Sequence, residues 1–114
     1  MTMSTPTDIQ HVISELKEKH SEEKIAEMVY DQLVKDFNTA GISITFPGET
    51  DYRKWSGEIE KLLNSNSDYK LATLLYSVDI PEKMSAGLNN TRAFAELILY
   101  REFVKIYFRL NYNL

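Results

Sequence analysis

The chain has 114 residues, no cysteine and a formal net charge of −4. A chain of this length can form one domain with its own core, and without cysteine it can hold neither disulfides nor thiolate chemistry. No apolar run approaches the roughly 20 residues of a membrane span, and the first residues lack the features of a secretory signal. We therefore expect a soluble cytoplasmic protein with a flexible N-terminus over residues 1–6 and a single all-helical domain over residues 7–114.

The charge is unevenly distributed along the chain. Residues 1–40 carry a net −4 and residues 41–80 a net −2, whereas residues 81–114 carry a net +2. The acidic part of the chain argues against a general nucleic-acid binder, because neutralising phosphates needs a dense positive surface. The basic C-terminal part leaves room for a smaller role of that kind.

Helical periodicity extends over almost the whole chain. One apolar stripe lies between about Thr7 and Lys19, and a second stripe, which ends near Phe37, lies about half a turn from the first around a helix. One straight helix would bury opposite faces, so we predict a break near His20–Ser21 with the serine as N-cap. The alternative is a continuous helix over residues 7–39 that bridges two layers.

The segment 42–46 follows Gly41, a residue that favours the end of a helix. Apolar and polar residues alternate along it, which is a strand pattern, and Pro47–Gly48 ends the pattern. No second strand pattern accompanies this one. We therefore predict a short extended segment that lies across the surface of a helical bundle.

Four more helical stretches complete the predicted bundle. The first follows an N-cap at Thr50 and buries Trp55, and the second ends near Val78. A short helix then begins at the capping box Asp79–Glu82, and a long last helix covers residues 91–110. The predicted fold class is all-α, with five to six helices around one core and the long C-terminal helix at its centre.

The stretch ELILYREFVKIYF, residues 96–108, places charged residues within an apolar run. Projected at about 100° per residue, Glu102 falls on one narrow strip together with three basic residues, so these charges are expected to meet water or a partner. The basic strip consists of Arg101, Lys105 and Arg109. Its positive charge indicates an alternative function, a weak nucleic-acid-binding or regulatory role.

The rest of the last helix presents an apolar arc that is wider than one neighbouring helix can cover. Aromatic residues are enriched at protein interfaces. The candidate interface consists of Tyr100, Phe103, Tyr107, Leu110 and Tyr112. The predicted function is non-catalytic protein–protein interaction, including self-association as a homodimer.

Glu96 is the exception on this arc, because it is charged. Arg92 precedes it by four residues, a spacing that favours an ion pair, so we predict a core ion pair at the rim of the bundle. The alternative is a buried general acid with a raised pKa beside a tyrosine. The sequence supplies no other part of such a catalytic site.

Other patterns that bear chemistry are weak. His11, Glu15 and Glu18 share one helical face and could hold a metal. The Glu-x-x-His pairs of bundle metal sites are missing, so we interpret these three residues as part of a solvated acidic face. Residues 68–90 resemble a helix-turn-helix without its base-reading side chains. No phosphate-binding loop or nucleophile motif occurs, so we predict no enzymatic activity, metal, cofactor or small-molecule substrate.

Overall fold

The computed structural model describes residues 8–49, 51–78, 80 and 91–112, apart from the side chains of Asp68 and Tyr112. No β-strand occurs among these residues, which form an all-α bundle as predicted. The helices of this part are α1 (Ile9–Leu16), α2 (Glu22–Thr39), α3 (Trp55–Asn64), α4 (Asp68–Val78) and α5 (Thr91–Tyr112). A 3-10 turn, Tyr52–Lys54, leads into α3. The predicted flexible residues 1–6, the N-cap at Thr50 and the short helix from Asp79 lie outside the described residues.

The predicted break between the first two helices is confirmed. The Asp8 side chain caps α1 by accepting a hydrogen bond from the backbone N–H of His11 at 2.8 Å. Ser21 caps α2 in the same way, because its hydroxyl accepts from the backbone N–H of Lys24 at 3.1 Å. Two consecutive glutamates follow in the first turn of α2, where the helix dipole favours negative charge.

Gly41 ends α2 because it adopts a φ of +79°, a conformation that costs side chains with a Cβ more than it costs glycine. The backbone N–H of Ile42 then bonds to the carbonyl of Phe37 at 2.8 Å. The segment 42–46 that follows forms no strand. Its apolar residues Ile42 and Phe46 are buried and its polar residues Ser43 and Thr45 are exposed, so the segment lies across the bundle as predicted, with one side against the core.

The last helix, α5, lies at the centre of the bundle, as predicted. It packs against α1, α2, α3 and α4, and most extensively against α3. Trp55 is fully buried, as expected, and its ring lies 5.7 Å from the ring of Tyr30 and 6.2 Å from that of Phe46. Within the described residues, no helix has both the length and the apolar composition that crossing a bilayer requires.

Candidate functional site

The apolar arc of α5 is covered by the chain itself. Phe103 and Tyr107, two residues of the candidate interface, are buried. The ring of Tyr52 covers Phe103 with its centroid 5.6 Å away, and the hydroxyl of Tyr107 hydrogen-bonds to Glu15 on α1. Neither residue is therefore available to a second chain in this fold. A central helix has several neighbours, which is why the width of the arc is a poor guide to exposure.

The other members of the candidate interface are less enclosed. Tyr100 and Leu110 are half-buried on α5, and Tyr112 is its last residue, with a side chain outside the described part. Large exposed aromatic residues occur instead on α4, where the side chains of Tyr69 and Tyr76 are 82% and 86% exposed. These two tyrosines are seven residues apart and therefore lie on the same side of the helix.

The expectation that the charges of α5 meet water is wrong for Glu102, which is 0% exposed. The Nζ of Lys105 donates hydrogen bonds to Asp36 Oδ2 and to the carbonyl oxygen of Ser77, both at 2.7 Å, and the Lys105 side chain is only 20% exposed. The side of α5 that carries these charges faces α2 and α4. Part of the predicted basic strip, namely Lys105, therefore contacts neighbouring helices inside the bundle.

Two more side chains extend this contact between α2 and α5. Gln32 on α2 donates from Nε2 to Asp36 Oδ1 at 3.0 Å, and it accepts a bond of 2.8 Å from Nη2 of Arg109. Arg109 itself is exposed, whereas Arg101 is half-buried. The three residues of the basic strip therefore do not form one exposed positive line. We call the group Gln32, Asp36, Glu102, Lys105 and Arg109 the polar cluster.

Glu102 is the titratable group of the polar cluster with the strongest perturbation. The pKa of Glu102 is raised to about 9. Burial is the main cause, the adjacent Asp36 carboxyl adds to the increase, and Lys105, with Nζ 3.8 Å from Oε1, opposes it. Neither carboxyl oxygen accepts a hydrogen bond from a described residue. The group is therefore neutral near pH 7, and because it is fully enclosed, its proton is not accessible to a substrate.

The predicted pair of Arg92 and Glu96 is present, but it lies at the surface and not in the core. Arg92 Nε is 3.6 Å from Glu96 Oε1, and the two side chains are 65% and 59% exposed. An exposed pair of this kind contributes about 0–1 kcal/mol to stability. The alternative interpretation of Glu96 as a buried general acid is wrong, because the carboxylate is in contact with water.

The face of α1 that carries the possible metal ligands has a simpler contact. His11 Nε2 lies 2.9 Å from Glu15 Oε1 at the surface. The hydrogen bond from Tyr107 is the main cause of the lowered pKa of Glu15, and His11 contributes to it. Glu18 is exposed beyond the end of α1. In the described ranges, no three histidine or carboxylate side chains gather closely enough to hold a metal ion.

A groove of about 930 Å³ lies between the first turns of α2 and residues 48, 49 and 51–53. Tyr30 holds the two sides together, because its hydroxyl donates to the carbonyl oxygen of Phe46 at 2.8 Å. Gly48 lies directly against this tyrosine, and a Cβ at that position would come within 3.1 Å of the ring. We call this feature the acidic groove. Its charged lining residues are Glu22, Glu23, Glu27, Glu49, Asp51 and Arg53, and the others are Ala26, Tyr30, Gly48 and Tyr52.

Arg53 occupies one end of the acidic groove. Its guanidinium carbon lies 4.6 Å from the centroid of the Tyr52 ring, its Nη1 is 3.1 Å from Asp51 Oδ1, and its Nη2 is 3.3 Å from Glu22 Oε1. The backbone N–H of Arg53 is the main cause of the lowered pKa of Asp51. Glu22 also pairs with Lys17 at 3.3 Å. The carboxylates at this end are therefore already neutralised.

The rest of the acidic groove keeps its negative charge. Glu23, Glu27 and Glu49 form no ion pair within the part of the chain that the structure describes. Glu23 and Glu27 lie on the same side of α2 as Tyr30, seven and three residues before it, so that carboxylates and an aromatic ring line the same surface. A concave surface with excess negative charge attracts cations and basic groups.

This groove is hard to foresee from the sequence. The acidic character of the first part of the chain is visible there, but the helix dipole alone is a sufficient reason for glutamates directly after Ser21. The opposite side of the groove comes from residues 48, 49 and 51–53, a short stretch in which the sequence shows no periodicity.

Comparison with family models, with curated proteins and with solved structures finds no match for this chain.

Proposed function

We propose that this chain is a non-catalytic protein-binding domain whose acidic groove takes a basic segment of another protein. The observation that carries the proposal is the combination of Glu23, Glu27 and Glu49, none of them neutralised by a described residue, with the tyrosine surface of a groove of about 930 Å³. Charge complementarity of this kind speeds association and selects the partner. The aromatic surface adds contact area that a basic side chain can use.

Arginine suits this groove better than lysine. Arg53 already places a guanidinium over Tyr52 and between two carboxylates. A planar guanidinium can stack on an aromatic ring and bind carboxylates through several N–H groups at once, whereas the lysine ammonium is a compact and strongly hydrated charge. A partner's arginine would use Tyr30 with Glu27 and Glu49 in the same manner that Arg53 uses Tyr52.

Another protein is a better partner than a second copy of this chain. The basic residues that a second copy could offer from its last helix include Lys105 and Arg109, and both are engaged by α2 of their own chain. The same engagement weakens the alternative of nucleic-acid binding through the basic strip. The homodimer stays a separate prediction, now without the buried residues Phe103 and Tyr107 as its interface.

The first prediction concerns peptide binding to the acidic groove. Isothermal titration at low salt, with a short peptide that carries two arginines, should show binding that weakens as salt is added. The variant Glu23→Gln/Glu27→Gln/Glu49→Gln should bind at least about tenfold more weakly, because it loses the uncompensated charges. A matching peptide with lysines should bind less tightly than the arginine peptide.

The control for this experiment changes the same number of charges elsewhere. The variant Glu18→Gln/Asp31→Asn/Glu60→Gln removes three carboxylates that do not line the groove. It should keep most of the affinity, because long-range charge effects are weaker than contacts in the groove. Equal losses in the two variants would show attraction to net charge alone and would contradict the proposed site.

A further inference from the structure

The polar cluster of α2 and α5 also contacts α4, so three helices meet at one point. Asp36 comes from α2, Glu102 and Lys105 come from successive turns of α5, and the carbonyl oxygen of Ser77 comes from the last turn of α4. The single ammonium of Lys105 binds both Asp36 and this carbonyl at 2.7 Å. It therefore fastens the end of α4 to the two longer helices.

The charges at this point do not balance if both acids are ionised. Two carboxyl groups, Asp36 and Glu102, face one ammonium, and that ammonium lies 2.7 Å from the first and 3.8 Å from the second. Asp36 also accepts a hydrogen bond from Gln32 at 3.0 Å, whereas Glu102 accepts none from a described residue. Burying a charge without hydrogen-bond partners is costly, and Lys105 lies closer to Asp36, so the arrangement favours a protonated, neutral Glu102.

We propose that Asp36, Glu102 and Lys105 form a proton-dependent latch that holds the end of α4 on the bundle. In the closed latch Glu102 keeps its proton, and Lys105 is shared between Asp36 and the Ser77 carbonyl. When Glu102 releases its proton to solvent, two carboxylates compete for Lys105. The ammonium is then drawn away from the carbonyl of Ser77, and the end of α4 loosens.

The direction of the pH effect follows from the pKa values of Glu102. The folded chain holds this proton up to a pKa of about 9, whereas an exposed glutamate loses it near the ordinary value of 4.5. Between these values the folded state binds the additional proton, so the contribution of Glu102 to stability falls as the pH rises. The neutral form is favourable at the acidic end of this window, and the latch opens towards the alkaline end.

The second prediction compares the native chain with Glu102→Gln, which stays neutral at every pH. Urea unfolding between pH 6 and pH 9 gives the folding equilibrium constant of each chain. The ratio of the variant's constant to that of the native chain should increase about tenfold for each pH unit. Hydrogen exchange at pH 9 should be faster in the native chain than in the variant for the α4 amides near Ser77, while the α3 amides change less.

Two further variants distinguish the latch from a general effect of pH on the fold. Glu96→Gln removes an exposed carboxylate from the same helix and should follow the native chain at every pH. The proposal would be overturned if the free energies of unfolding of the native chain and Glu102→Gln changed in parallel with pH. Equal changes of the amide hydrogen-exchange rates in α3 and α4 would also overturn it. Glu102→Leu is a second neutral variant. If neither Gln nor Leu at this position allowed folding, an ionised carboxylate would be required there, and the latch would be refuted.

Discussion

Lys105 is the residue through which α2, α4 and α5 share their charged contacts. Its ammonium is largely enclosed and has two partners at 2.7 Å. The surface pair of Arg92 and Glu96 differs in both respects, since both side chains are mostly exposed and their closest atoms are 3.6 Å apart. An enclosed charge that loses its partner costs far more free energy than an exposed one, because water cannot replace the lost contact.

The third prediction tests this difference with Lys105→Met and Arg92→Met. Removing the ammonium of Lys105 takes away the hydrogen bonds to Asp36 Oδ2 and to the Ser77 carbonyl oxygen and leaves the enclosed Asp36 carboxylate without its cation, so the free energy of unfolding at pH 7 should fall by about 3 kcal/mol. Arg92→Met should lower it by less than about 1 kcal/mol. Urea unfolding measures both values. Similar small losses would mean that the enclosed contact contributes little.

The burial of Glu102 cannot be read from the sequence. A helical projection places it correctly beside the basic residues of the strip, but the projection does not say which neighbouring helix covers that side. Charged residues usually face water, and the prediction for the strip rests on that rule. Here Gln32 and Asp36, both on α2, supply polar contacts on the covered side. Polar residues on one helix make burial of charges on another possible.

Among the helices, the end of α2 depends most clearly on one residue. Gly41 follows the helix with a φ of +79°, and a side chain there would strain the backbone even where space is available. The turn also positions Ile42, whose side chain is buried. In contrast, Gly57 lies inside α3, and a Cβ added there would meet no atom within 4 Å.

The fourth prediction uses these two glycines as a matched pair. Gly41→Ala should lower the free energy of unfolding by about 1 kcal/mol, because alanine disfavours the left-handed conformation. Gly57→Ala should raise it by about 0.5–1 kcal/mol, because alanine is the better helix former and loses less entropy on folding. Urea unfolding of both variants gives the two signs. Stabilisation by alanine at position 41 would contradict the role of this turn.

Local signals in the sequence predict the helices well, and long-range packing is harder to predict. Ser21 identifies the start of α2, and the half-turn offset of two apolar stripes identifies the break before it. The alternation in residues 42–46 indicates a strand, yet Ile42 and Phe46 are buried without any strand partner in the described part. Alternation shows which residues lie on one side of a segment, but it does not show whether another strand is near.

At the scale of the whole molecule, the fold uses the two signs of charge differently. Lys105 and Arg109, from the basic end of the chain, contact α2 through Asp36 and Gln32. Glu23, Glu27 and Glu49, from the acidic part, stay without an ion pair to any described residue. The charge asymmetry along the sequence is therefore informative. The positive end contributes to the latch between helices, and the negative part gives the groove its charge.

The fifth prediction, and the most direct test of groove binding, is a titration of the labelled chain with the arginine peptide, followed by NMR. Backbone amide signals should shift in the first turns of α2 and in residues 48, 49 and 51–53, which line the acidic groove. The amides around Tyr69 and Tyr76 on the outer side of α4 should stay unchanged, as should those of α5. Shifts confined to α4 or α5, or no shift at millimolar peptide, would contradict the proposal that the groove binds a basic segment.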